Sequence, residues 1–305
     1  MGTATPEATK GALFGFGAYA MWGCFPLFFA LFEGVPAYEV LIHRIIWSSV
    51  FLAVVVTALR RWPLIRNALA HPRKLGRVLA CAVLIAINWG LYIYAVETHR
   101  VLQASLGYFL TPLVNVALGM LVLGERMVRL QAIAVALAGV GILMQLFLVG
   151  TVPWISLVLA ASFGTYGLFR KQVELDGLSG LFVETLLLLP VGLVVLAWLV
   201  STDVSHFAND SRATSLLMAS GIVTALPLLA FAGAARRLRL TTLGFLMYIN
   251  PTLQFLLALW VFNEPLGSIQ LASFIVIWTA LALYSWSTWQ SSPTAISRRA
   301  RAGLR

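Results

Sequence analysis

Glutamate, histidine and arginine stand together at Glu39, His43 and Arg44, inside a run that is otherwise almost wholly apolar. Glu39 and His43 are four residues apart, so on a helix they share a face and protonation of either is felt by the other. They are the candidates for carrying a proton, although Glu39, barely one turn in, also suits a headgroup contact. Arg44 is the stronger signal. If the helix begins at Pro36, its guanidinium lies about 12 Å along the axis, where a charge costs about 2.5–3.5 kcal/mol on the translocon insertion scale. It is expected to face the protein interior and to pair with a carboxylate, a carbonyl or a substrate anion.

Asn88 and Tyr92 share a second face, either as pocket lining or as a bridge between helices. Tyr108, Thr111 and Asn115 surround Pro112, and Tyr248, Asn250 and Gln254 surround Pro251. Each proline removes one backbone hydrogen bond and disturbs the carbonyl four residues back, at Tyr108 and Met247, so both are expected to kink their helices. Aromatic rings with a few amides are the composition of a small-molecule pocket. They equally suit structural kinks with hydrogen bonds between helices. Trp22, Tyr19 and Tyr166 are compatible with such a pocket but also with packing, and Glu184 is expected at the interface.

The elements that must position these residues follow from composition. Of 305 residues 60% are apolar and 10% charged, under half the roughly 25% charged fraction of soluble domains. The net charge of +10 would suit nucleic acid in a soluble chain, but here the partner it indicates is the lipid bilayer. Cys24 and Cys81 lie in apolar runs, form no metal-ligand cluster and read as small core residues. There is no GxxxxGK[ST], HExxH or GxSxG motif, so no cofactor, metal or catalytic residue is called for.

A spanning helix needs about 20 mostly apolar residues. Such runs lie near 11–32, 36–59, 77–97, 101–123, 128–149, 152–170, 179–200, 213–235, 240–262 and 266–289. The first is longer than a signal-peptide core and is expected to remain as a helix. Residues 1–10 and 291–305 read as short polar tails. Counting basic residues in alternate loops places 18 of the 21 on one side and only Arg100 and Arg212 on the other, with Arg44 inside a span. By the positive-inside rule both termini are cytoplasmic.

A shift of 139 positions matches Arg100 with Arg239, Pro112 with Pro251, Glu125 with Glu264 and Gln131 with Gln270. Upstream the shift grows to about 144–145, pairing Gly23 with Gly167 and Glu39 with Glu184. The expected fold is therefore all-α: ten transmembrane helices in two five-helix repeats, 1–150 and 151–305. An odd number of helices per copy makes the repeats inverted, the architecture of many secondary transporters. Two copies in one chain remove the need for a dimer, so a monomer is expected to function. Ala134 and Ala138 resemble a small-xxx-small helix contact.

The run Glu39-Val40-Leu41-Ile42-His43-Arg44, the Asn88-Trp89 pair, and Ala104-Ser105-Leu106-Gly107-Tyr108-Phe109 through Pro112-Leu113-Val114-Asn115 resemble the RarD group of EamA-type transporters. So do Gly124-Glu125-Arg126, Leu238-Arg239-Leu240 and Thr242-Leu243-Gly244-Phe245. The resemblance covers roughly residues 10–290. It implies a bacterial inner-membrane protein of the drug/metabolite transporter superfamily, in a group named for an association with chloramphenicol sensitivity. One position departs from the pattern: Gln103 stands where many relatives carry an acid, which leaves Glu39 and His43 to carry any coupled proton. The expected function is secondary transport of a small metabolite or amphipathic compound. A membrane enzyme acting on a lipid-soluble substrate and a non-transporting subunit remain the alternatives.

Overall fold

The computed structural model describes residues 6–124, 128–173, 175–238 and 240–290. Expectations that fall on Glu125, Arg126, Arg239 or the basic tail lie outside the described residues. The described chain is helical: α1 (Pro6–Gly23), α2 (Phe25–Phe29), α3 (Ala37–Ala58), α4 (Trp62–Ala70), α5 (Pro72–Glu97), α6 (Val101–Leu123), α7 (Arg129–Leu148), α8 (Trp154–Lys171), α9 (Gly177–Ser201), α10 (Ser211–Ala235), α11 (Leu240–Leu246), α12 (Ile249–Trp260) and α13 (Ser268–Gln290). Among the described residues eight helices are long and apolar enough to cross a membrane, Thr242–Trp260 of α11 and α12 counting as one, and nine if α1 and α2, bent by 40°, make one span. The other expected span, 152–170, coincides with α8, which carries Ser156, Ser162, Thr165, Tyr166, Arg170 and Lys171 and stands outside that set.

Contacts at the helix ends order the bundle. At one end, called proximal here, the start of α1 meets the segment after α10, where Arg237 Nε lies 2.9 Å from Glu7. There too Arg61, after α3, pairs with Asp176 at 2.6 Å. At the opposite, distal end, the start of α3 meets the end of α5 and the segment after α9. The start of α6 there meets the segment after α12.

The two halves interleave. The major packing pairs are α6 with α8, α7 with α13, α3 with α10 and α9, α1 with α10 and α12, α5 with α8, and α6 with α12. Each joins a helix before residue 150 to one after it. Such seams need small residues, because lipid supplies no hydrophobic drive for helices to associate and close backbone approach must replace it. At Gly221 of α10 an added Cβ would run into the backbone of Trp47 and Ser48 in α3. At Gly107 of α6 it would meet Ser156 of α8, and at Gly141 of α7 it would meet Ile277 of α13. Ala134 and Ala138 are buried, as a helix contact requires. Cys81 is buried, but Cys24 is exposed and is not the core residue the sequence suggested.

Asp176 shows how one helix is started. Its carboxylate accepts from the N–H groups of Leu178 and Ser179, both at 3.2 Å, and from Ser179 Oγ at 2.7 Å. Burial raises this carboxyl, but the Ser179 hydrogen bonds and the Arg61 guanidinium outweigh burial and hold it below its ordinary value.

Thermal unfolding of the purified chain checks these contacts. Gly221→Ala is expected to lower Tm sharply, whereas Gly76→Ala, with nothing within 4 Å, is expected to leave it unchanged or raise it by the helix-propensity gain of about 0.5–1 kcal/mol. Asp176→Ala is expected to cost about 1 kcal/mol. Since the folded-state value is depressed, that difference is fully present above the unfolded carboxylate value and disappears as pH falls through the folded one.

Candidate functional site

The two prolines behave differently. Pro112 lies inside α6, which continues through it, so the kink expected there is not a break. The Thr111 hydroxyl donates to the Gly107 carbonyl at 3.1 Å, a side-chain bond beside the one that proline removes. The second span is interrupted at Met247–Tyr248, between α11 and α12, with Pro251 in the first turn of α12. The break falls at the carbonyl that Pro251 was expected to free.

A cavity of about 270 Å³ opens at that break. Pro112 and Asn115 of α6 form one wall, Met247 and Tyr248 the second, and Tyr284 and Ser285 of α13 the third. It reaches Gly244 within α11 and Thr288 near the end of α13, so it extends toward the proximal end. The Ser285 hydroxyl donates to Tyr248 Oη at 3.3 Å. A smaller space of about 220 Å³ adjoins it, sharing Tyr248 and Ser285 and bounded by Phe109 and Trp278. The residues around Ser285 were missed by the sequence reading, because nothing in α13's pattern distinguishes them from packing residues.

Distally the seam is closed. Ser105 Oγ donates to the Pro251 carbonyl at 2.9 Å, joining α6 to α12. Glu264 caps the start of α6, accepting from the N–H of Val101 at 2.5 Å and of Leu102 at 2.8 Å. A carboxylate is well placed there, where unpaired amides and the helix dipole both favour negative charge. Burial pushes the Glu264 carboxyl up, against the pull of those two amides.

Other expected residues gather behind the cavity wall. Asn88 is buried and its amide donates to the Leu159 carbonyl and to Ser162 Oγ, both at 3.1 Å, while its oxygen accepts from Tyr108 Oη at 3.1 Å. It therefore pins α5, α6 and α8 together. The Tyr92 ring lies 5.8 Å from that of Tyr108, and its hydroxyl has no hydrogen-bond partner. Gln254 donates to Asn250 Oδ1 at 2.7 Å and more weakly to the Trp22 carbonyl at 3.5 Å. This links α12 to α1, where Trp22 and Tyr19 cluster with Phe231. Neither Asn250 nor Gln254 is among the residues lining the cavity.

Arg44 is buried and lies apart from the cavity. Its Nε donates to Thr224 Oγ1 of α10 at 2.8 Å, and its guanidinium carbon sits 4.0 Å from the Trp89 ring centroid and 5.2 Å from that of Phe29. Of the expected partners, a carboxylate, a carbonyl or a substrate anion, neither of the first two is there: aromatic faces and one hydroxyl surround the charge, and Nη1 has no hydrogen-bond partner among the described residues. His43 is buried too, stacked 4.6 Å from Phe207, with Nδ1 accepting from Trp47 Nε1 at 3.3 Å.

Glu39 does not meet headgroups. It is fully buried, and its carboxylate accepts from Ser205 Oγ at 2.9 Å and the His206 N–H at 2.8 Å, with His206 Nδ1 2.8 Å from its other oxygen. Three contacts close the distal loop after α9 onto the start of α3. Glu184 likewise is not interfacial: it is fully buried beside Arg170 and Tyr166. Among the described residues no group of His, Cys, Asp or Glu is arranged to hold a metal ion.

Comparison with known proteins places this geometry in context. Residues 9–147 match the model of the EamA-like transporter family. The chain is 45% identical over 296 residues to an uncharacterized transporter of Vibrio cholerae, covering 97% of each. It is 46% identical to protein RarD of Salmonella typhimurium, covering 91% of this chain and 95% of that one. A solved crystal structure, described only as that of a protein, shares the fold at a TM-score of 0.56 and 17% identity, covering 93% of this chain and 99% of the other.

Thr224 tests the account of Arg44. Thr224→Val removes the hydrogen bond to the buried guanidinium and is expected to cost about 2 kcal/mol, read as a lower Tm, while Thr224→Ser keeps the hydroxyl and most of the stability.

Proposed function

This chain belongs to the RarD group of the EamA-like transporter family, and from that premise we propose that it is a secondary transporter of a small metabolite or amphipathic compound. The multi-pass membrane character is common ground with its relatives. The proposal adds ten crossings in two inverted halves, an inner-membrane location and cytoplasmic termini.

Helix packing supports the inverted halves. With α1 exchanged for α8, α3 for α9, α5 for α10, α6 for α11–α12 and α7 for α13, the pairing of α1 with α10 becomes that of α8 with α5. The pairing of α6 with α8 becomes that of α12 with α1, and those of α3 with α9, α6 with α12 and α7 with α13 return themselves. All of these contacts occur. A twofold exchange leaves α6 and α11–α12 facing each other across its axis, where transporters with such repeats bind substrate.

The observation that carries the reading is the cavity at this seam, lined by Asn115 from one half and Tyr248 from the other, extending to one end of the bundle and closed toward the other. A site that faces one side with a closable contact on the far side is what alternating access requires. By the positive-inside count the open side is the cytoplasm. In this reading Asn115 and Tyr248 hold polar groups of the substrate and the aromatic wall takes its apolar part. Arg44 lies apart from the cavity, and its positive charge makes the interior favourable to an anionic or carbonyl group. Opening the distal side then requires Glu264 to leave the start of α6 and Glu39 to release the loop at Ser205 and His206.

A compound library screened by thermal shift identifies ligands, since binding raises stability with occupancy. Uptake and efflux of the hits in proteoliposomes, with and without a pH gradient, then tests transport. Asn115→Ala and Tyr248→Phe are each expected to weaken it about tenfold, the scale of one lost hydrogen bond to ligand. Undiminished transport in both variants would sink the cavity assignment.

A further inference from the structure

The buried carboxylate of Glu184 takes no part in the cavity or in the distal closure. It is the eighth residue of α9, about 10 Å into the helix, and is fully buried. Two side chains of α8 face it. Tyr166 Oη donates to Oε2 at 3.2 Å, and Arg170 Nε lies 3.6 Å from Oε1, beyond hydrogen-bond reach. Among the described residues neither Oε1 nor Arg170 Nη1, both buried, has a hydrogen-bond partner. The remaining titratable neighbour among the described residues is Cys81 of α5. Asp176 is reached only through its backbone carbonyl, which accepts from Arg170 Nη2 at 2.6 Å, and its carboxylate is occupied by Arg61 and Ser179.

The contrast with Glu39 is informative. Glu39 makes three contacts at 2.8–2.9 Å and is a closed, satisfied site. Glu184 has one hydrogen bond and a loose ion pair, an expensive arrangement for a charge at membrane depth. A carboxylate kept under-coordinated inside a span is suited to accepting a proton. Arg170, whose side chain is 14% exposed, stands between Glu184 and the proximal loop from which the proton would come.

α8 connects this pair to the cavity. Tyr166 stacks on Phe163 at 5.8 Å, and Phe163 meets the Tyr108 ring at 6.0 Å. Beside them Gly164 and Gly167 bear on the cavity residue: a Cβ at Gly164 would come within 3.2 Å of Asn115 Oδ1, and one at Gly167 within 3.9 Å. One helix thus holds Glu184 with Tyr166 and Arg170 and sets its glycines beside Asn115.

We infer that Glu184, with Tyr166 and Arg170, is the proton-binding site of this transporter and that α8 transmits its charge state to Asn115. A proton from the proximal aqueous phase adds to the Glu184 carboxylate, giving the neutral acid. No other covalent bond changes, and Arg170 keeps its charge and loses its ionic partner. α8 is then freed to shift against α6. This inference rests on the transport reading for its purpose and on the site geometry for its existence, and it moves the proton from Glu39 and His43 to a residue on the opposite half.

Infrared difference spectra of the full chain in lipid, recorded between alkaline and acidic buffers, test the site without a substrate. A protonated-carboxyl band is expected on acidification, lost in Glu184→Gln and retained in Glu39→Gln. Tyr166→Phe, which removes a donor and keeps the ring, is expected to shift that band. Survival of the band in Glu184→Gln, or its indifference to Tyr166→Phe, overturns the assignment. Hydrogen exchange tests the transmission: Glu184→Gln, standing for the protonated state, is expected to speed exchange in α8 and around Asn115 by about fivefold. A change confined to α9 overturns it. The transport reading fails separately, if the unmodified chain moves none of the identified ligands.

Discussion

The hydrocarbon core offers no water to a peptide group, and every backbone N–H and C=O at that depth must find its partner within the protein. That requirement dictates the helices, and it also marks where they are allowed to stop. α6 carries Pro112 without a break, while its counterpart parts into α11 and α12 at Met247–Tyr248. Both spans border the cavity, and the irregular backbone at Met247–Tyr248 lies against it, as irregular backbone at membrane depth must border protein or an aqueous space. At the distal end the same requirement is met by a side chain. Glu264 supplies acceptors to the first amides of α6 from a segment more than 160 residues away in the chain.

Charge at depth is handled in three ways, and the differences organise the interior. Arg44 is surrounded by aromatic faces and one hydroxyl, so its charge is tolerated without an acid. Glu39 is hydrogen-bonded by donors from a loop and serves as a closure. Glu184 is left partly unpaired beside Arg170. The first arrangement fixes α3 against α5 and α10, the second fixes the distal end, and the third remains free to change.

Between these charged points the bundle is held by proximity. Gly107 and Gly221 let a backbone approach that a methyl group would block, and Gly141 leaves room for the Ile277 side chain. All three contacts cross from one half of the chain to the other, so the halves are joined along their length as well as at their ends. A movement of either half must therefore pass through these seams. The glycines of α8 beside Asn115 lie at one of them.

Local chemistry was legible from the sequence because hydropathy and helix period act over about 20 residues. It determined the all-helical membrane character, the seats of Asn115 and Tyr248 beside the two prolines, and the burial of Arg44. Partners were not legible, since they depend on residues that hydropathy places at the same depth without saying which face meets which. Glu39 and Ser205 are 166 positions apart, and no local pattern joins them. Glu184, eight residues into α9, read as interfacial because depth along a helix says nothing of what Tyr166 and Arg170 do beside it. A charge in a span announces itself in sequence through its cost. Only the tertiary structure decides how that cost is met, because the compensating groups arrive from other helices.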